Sequence, residues 1–185
     1  KPEPSYYINR AVNFHNMGQT QKALADFAKA ELLDPENPTL YEKRSRILRE
    51  QNCLEESIKD ADTLIDISPN DIMGYLLKGC TLMEQKKYNE AQKYVDKAIC
   101  LNPENTEPYL LRGEIYSALG KYKQAMNEYV YSIKLDDTIP DTYFSYGKVC
   151  KKLGYENLAA LNFEKACSLD AAYNEKVNRF LNQHS

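Results

Sequence analysis

A chain of 185 residues, 43% hydrophobic and 28% charged, is long enough to bury a sizeable core and carries too much apolar and tyrosine surface to stay solvated as a disordered chain. Its 27 acidic and 24 basic side chains leave a formal net charge of -3, which weakens a nucleic-acid role because phosphate neutralisation dominates that kind of affinity. No apolar run approaches the roughly 18 to 20 residues a membrane span requires, and the start Lys1-Pro2-Glu3-Pro4 has no apolar signal-peptide region.

In chain order the sequence divides into five repeats of 34 residues: 4–37, 38–71, 72–105, 106–139 and 140–173. One tyrosine opens each of them, at Tyr7, Tyr41, Tyr75, Tyr109 and Tyr143. The first repeat also holds Ala11, Gly18, Ala23, Phe27 and Pro35, and each begins a column that later repeats continue. In the second repeat, the least regular, Ser45 and Ser57 replace the small residues and Leu48 the aromatic one, before Ala61, Leu64 and Pro69. The third adds Gly79, Ala91 and Pro103. In the fourth, Tyr109, Arg112, Gly113, Tyr116 and Leu119 step by three or four, and so do Tyr122, Ala125, Met126, Tyr129 and Ile133 after Gly120. That spacing predicts two amphipathic helices joined by a short turn. The fourth repeat has Asp137 where a closing proline stands in the first three, and the fifth carries Gly147, Gly154, Ala159 and Phe163. Asn37 is a good N-cap with Pro38 at the first helical position, and Asp71 and Asn105 share its column. Gly79, Gly113 and Gly147 would let the second helix of a pair approach the first closely. Helices of about 13 residues are marginal alone, so each pair must bury its outer stripe on the next, which makes a solenoid. Residues 174–185, with Val177, Phe180 and Leu181 on one face, are expected to form a last, capping helix.

Enzymatic constellations are missing. His15 and His184 are far apart in sequence with no cysteine or acidic motif beside them, so neither a metal site nor a histidine-based triad is expected, and no glycine-rich phosphate loop occurs. No cofactor is expected. Carboxylates such as Glu55, four residues before Lys59, read as a solvated surface. The odd set Cys53, Cys80, Cys100, Cys150 and Cys167 contains no Cys-x-x-Cys pair and fits thiols in a reducing compartment, the cytosol or nucleus. Cys100, Cys150 and Cys167 are expected to behave as small apolar residues and Cys80 to be the reactive one.

The columns together resemble the tetratricopeptide repeat, whose period is the same 34 residues. The fourth repeat carries the pattern most fully, as Tyr109, Arg112-Gly113, Tyr116, Gly120, Tyr122, Ala125 and Tyr129, with tyrosine in place of the family's usual tryptophan. The resemblance implies an all-α fold, a right-handed superhelical solenoid of antiparallel helix pairs, and a non-enzymatic protein-interaction scaffold whose first helices line a concave groove. The alternatives to that first reading are a regulatory or targeting segment of a larger enzyme or complex, and a self-associating structural subunit.

By that resemblance the groove positions are the second, fifth, sixth, ninth, twelfth and thirteenth of each repeat. They give an apolar middle of Leu76, Leu77, Cys80, Met83, Leu110 and Leu111, with Glu114 and Phe144, between basic ends of Arg46 and Arg49 on one side and Lys148, Lys151 and Lys152 on the other. The leucines are expected to be exposed and to be buried by a partner with large apolar anchors and acidic flanks. Reading the positions of the family's two-carboxylate clamp from the first repeat gives Ile8, Val12, Lys43, Met73 and Leu77, so chaperone binding of that kind is not implied.

Overall fold

The computed structural model describes residues 3–183; Lys1 and Pro2 at the start, and His184 and Ser185 at the end of the expected capping helix, lie outside the described residues. The described residues form eleven α-helices and no strand: α1 (Pro4–Asn16), α2 (Thr20–Leu33), α3 (Pro38–Glu50), α4 (Leu54–Ile67), α5 (Ile72–Glu84), α6 (Tyr88–Leu101), α7 (Glu107–Ala118), α8 (Tyr122–Leu135), α9 (Pro140–Lys152), α10 (Glu156–Leu169) and α11 (Tyr173–Gln183).

Local chemistry sets their ends. The Asn37 side chain accepts from Leu40 N at 3.3 Å and that of Asp71 from Met73 N at 2.9 Å, satisfying amides that a helix start leaves without partners. Asn105 departs slightly from its expected role. Thr106 takes helical backbone angles at the cap position and α7 starts one residue later, but Asn105 Oδ1 still accepts from Glu107 N at 2.9 Å. Helices α2, α4 and α6 stop two residues before Pro35, Pro69 and Pro103. α8 stops in the same column without a proline, because Asp136 Oδ1 accepts from Thr138 N at 2.8 Å and Oγ1 at 2.6 Å and closes an Asx turn. Within each pair the turn needs one residue in left-handed backbone. Gly18, Gly120 and Gly154 supply it with φ near +75°, while Asn52 (φ 59°) and Lys86 (φ 60°) occupy the same 34-residue column with side chains attached.

The chain divides into two compact bodies, residues 1–101 and 102–185. In the first, α1 packs on α2, α3 on α4 and α5 on α6, and successive pairs meet through α2 with α3, α4 with α5, and the first helices with one another. Its core holds Ile8, Phe27, Leu40, Tyr41, Ile47 and Leu64 around Ala11, Ala23 and Ala61. In the second body α7 packs on α8 and α9 on α10, while α11 lies against α9 and α10, where Val177 joins Phe163 and Cys150. The small column allows close approach as expected. A Cβ on Gly147 would lie 2.6 Å from Phe163 Cε1, and one on Gly113 would meet the Tyr129 ring.

The irregular second repeat compensates for itself. Ser45 and Ser57, both in columns of small residues, face each other: Ser45 Oγ donates to the Ser57 carbonyl at 3.0 Å, Ser57 Oγ to the Ser45 carbonyl at 2.9 Å, and the Thr81 hydroxyl lies 3.1 Å from Ser57 Oγ. Three members of the tyrosine column are buried with their hydroxyls satisfied, since Tyr41, Tyr75 and Tyr109 donate to the carbonyls of Pro35, Pro69 and Pro103 at 2.7, 3.0 and 3.0 Å. A ladder of charges recurs with the same step. Arg10 pairs with Asp26, Arg44 with Asp60 and Arg112 with Glu128, each across 16 residues, and at the intervening step Lys78 Nζ stands 4.4 Å from the centre of the Tyr94 ring.

Candidate functional site

In each body the hydrogen bonds and ion pairs that link one first helix to the next define a shared face. On the first body His15 Nε2 of α1 lies 2.8 Å from Glu50 Oε2 of α3, and Arg49 Nε of α3 lies 3.4 Å from Glu84 Oε1 of α5. Arg46 Nη2 donates to Met73 Sδ at 3.1 Å, and its Nε lies 3.5 Å from Glu42 Oε1 one turn back. Arg46 and Arg49 therefore sit on this face, where carboxylates of the same chain already partner them. Side chains able to pair 35 residues apart, His15 with Glu50 and Arg49 with Glu84, are the sequence signal for this cross-linking.

The apolar middle requires a correction. Leu76 and Leu77 are only 1% and 3% exposed and Leu111 only 4%, so they offer a ligand almost no surface. Leu77 belongs to the core beside Leu40 and Ile47, because its position turns toward the seam between successive helices. Leu110 is half-buried against Tyr129 and Val149. Phe144 is also part of the packing, with its ring 5.9 Å from Phe163, 5.7 Å from Tyr173 and 6.3 Å from Phe180, so it seats α11. Cys80 and Met83 are half-buried. Cys150 is buried and Cys167 half-buried, whereas Cys100 is exposed, contrary to its expected packing at the end of α6. Glu55 is exposed, in keeping with a solvated surface, and accepts from Gln85 Nε2 at 2.7 Å.

On the second body a polar cluster takes the place of the leucines. Ser145 Oγ of α9 donates to Glu114 Oε1 of α7 at 3.3 Å. Burial raises the Glu114 carboxyl above the usual carboxylate range, although Lys148 and Ser145 oppose that shift. Lys148 is lowered by burial, opposed by Glu114 and Asp141, and its Nζ lies 4.8 Å from the centre of the Phe144 ring. Two opposite charges are thus held on adjacent first helices in a half-dry setting, where an interaction is stronger than in water. Lys151 is engaged by Glu156 at 2.8 Å, whereas Lys152 is exposed with its Nζ 5.6 Å from the Tyr122 ring centre. Asp141 accepts from the Tyr173 hydroxyl, so α11 is bonded to the same face. Among the described residues no group of three or more His, Cys, Asp or Glu is placed to hold a metal ion, and no helix is long and apolar enough to cross a membrane.

Three family models, each described as tetratricopeptide repeat, match residues 9–72, 82–129 and 140–173, together most of the chain. Among solved structures, the chain is similar to TTC0263, a thermophilic TPR protein of Thermus thermophilus, with 19% identity and a TM-score of 0.83 over 96% of this chain and 98% of that one. It resembles pilF of Pseudomonas aeruginosa at 18% identity and a TM-score of 0.77, covering 89% and 75% of the two chains. YrrB, a TPR protein with an unusual peptide-binding site, matches at 19% identity and a TM-score of 0.62, covering 94% and 91%. No curated protein matches by sequence. The fold class is therefore all-α, a solenoid of helix pairs.

Proposed function

The chain belongs to the tetratricopeptide repeat family, and we propose that it works as a non-enzymatic scaffold holding a segment of a partner protein against the face built by its first helices. In this reading the five 34-residue segments from 4 to 173 are its repeats and 174–185 its cap. The observation that carries the proposal is the Glu114, Ser145 and Lys148 cluster. Charged groups half withdrawn from water cost free energy unless something completes their bonding, and a ligand with the complementary groups does so. YrrB, which has a similar fold and an unusual peptide-binding site, supports the same use.

The partner chemistry differs from a leucine-lined groove. A carboxylate of the partner meets Lys148 and Lys152, a hydrogen-bond donor meets Glu114, and one apolar side chain covers the half-exposed edge of Leu110. Arg46, Arg49, Cys80 and Met83 offer a second, weaker contact on the first body, because its arginines must exchange internal carboxylates for foreign ones. The thiols are in keeping with a reducing compartment, cytosol or nucleus.

Selection of a displayed peptide library on the purified chain tests this. The selected peptides should share an acidic residue at fixed spacing from an apolar one, and Lys148→Glu with Lys152→Glu should weaken them at least tenfold, chiefly at low salt. Peptides retained equally by that charge-reversed variant would refute the assignment.

A further inference from the structure

Leu32 and Leu33, the last two residues of α2, are 86% and 51% exposed, and they lie side by side rather than scattered as single surface leucines usually are. Asp34 and Glu36 follow at once, Glu36 exposed, and the C-terminal end of α2 adds the negative pole of its dipole. The first body thus presents an apolar knob in a negative setting.

The second body presents its complement. A groove of about 350 Å³ lies between α8 and α10 over the Tyr143 and Tyr146 rings of α9. Val130 and Leu161, 36% and 62% exposed, form its lips, and the exposed Lys134 and Lys165 stand at its rim. Its walls come from second helices and its floor from α9, and it shares none of the polar cluster of Glu114, Ser145 and Lys148.

We infer that the occupant of this groove is the Leu32–Leu33 knob of a second copy of this chain, with Lys134 and Lys165 facing its Asp34 and Glu36. Shape, polarity and charge correspond: two adjacent leucines against an apolar groove, and carboxylates with a helix C-terminus against two lysines. The contact is heterologous, because knob and groove are different surfaces. Each docking leaves a free knob at one end and a free groove at the other, so copies add head to tail instead of closing as a symmetric pair. One knob per contact buries little area, and the association is correspondingly weak and concentration-dependent.

Sedimentation velocity over a concentration series reaching about 1 mM, a range set by the weakness of small interfaces, is the test. The wild-type mass should climb with concentration and pass the dimer. Leu32→Asp with Leu33→Asp should leave a monomer, as should Leu161→Asp, each with unchanged helical circular dichroism. An equimolar mixture of these two variants should form dimers and nothing larger, because only one intact knob and one intact groove remain to meet. Should Leu161→Asp disturb folding, Lys134→Glu with Lys165→Glu serves instead and should weaken association at least tenfold. A wild-type chain that stays monomeric throughout overturns the inference, as a foreign partner or an internal contact would produce. So does association that survives both variants, or a mixture that grows past the dimer.

Discussion

Gly147→Ala separates packing from helix propensity in one substitution. In an exposed helix, replacing glycine by alanine stabilises by about 0.8 to 1.0 kcal/mol. At position 147 the new methyl would lie 2.6 Å from Phe163 Cε1, 2.7 Å from Cδ1 and 3.1 Å from Cζ. The Phe163 ring is 5% exposed and pinned between Phe144 and Phe180, at 5.9 and 5.8 Å, so it has little room to retreat. Overpacking a core costs typically 1 to 3 kcal/mol, and contact with three ring atoms places this case near the top of that range. The net expectation is a loss of about 2 kcal/mol, or about 10 °C in the melting of a body of this size. Urea and thermal unfolding followed by circular dichroism would measure it. The decisive comparison uses Phe163→Leu as background, where the ring edge is gone and the same Gly147→Ala change should become neutral or stabilising. Equal destabilisation in both backgrounds, or a rise in stability of the otherwise wild-type chain, would refute the close-approach account.

Lys86 holds a left-handed backbone that costs a side-chain-bearing residue about 1 to 2 kcal/mol, so Lys86→Gly should stabilise by about 0.5 to 1 kcal/mol after the added freedom of the unfolded chain is subtracted; a lower melting temperature would contradict this. A thiol reagent should modify Cys100 first in the native state and Cys150 last, since Cys150 is buried and its thiol is pushed up to about 11; mass mapping of the labelled sites gives the order. The Arg10 guanidinium holds the Asp26 carboxyl below the usual carboxylate range. A depressed folded pKa contributes stability above the unfolded value of about 3.9 and loses it as pH falls through the folded one, so acid unfolding of the wild type should steepen below about pH 4 and that limb should flatten in Asp26→Asn.

The fold was legible because its determinants are repeated identities. Tyr41, Tyr75 and Tyr109, the alanine column and Gly113 with Gly147 each serve one packing role, and a 34-residue step exposes them. The left-handed turn was only half legible, since Asn52 and Lys86 occupy the glycine column under other names, and the backbone requirement shows only in φ. The charge ladder keeps the same period, but its partners are 16 residues apart on two helices, beyond the reach of an i,i+4 reading. The groove was the least legible part. Whether a leucine at the fifth or sixth position of a repeat faces a ligand or the packing beside it depends on the neighbouring helix. Leu76, Leu77 and Leu111 fall into the seam, and the polar cluster around Glu114 becomes visible only when α7 and α9 are set side by side.

The charge ladder bears on how such a chain changes length over generations. Arg10 with Asp26, Arg44 with Asp60 and Arg112 with Glu128 each close within a single 34-residue step. The tyrosine hydroxyls reach back across a junction, but to a main-chain carbonyl, which any junction can provide. Duplicating one whole step therefore carries each of these pairs along intact, whereas excising one also breaks the pairs that cross a junction, such as Lys78 with Asp62 and Ser145 with Glu114. An insertion of a few residues inside α3 after Arg44, or inside α4 before Asp60, rotates one partner off the shared face and leaves the other half-buried alone, a cost of several kcal/mol. These pairs thereby favour a change in length by one whole period over a change by a few residues inside a helix.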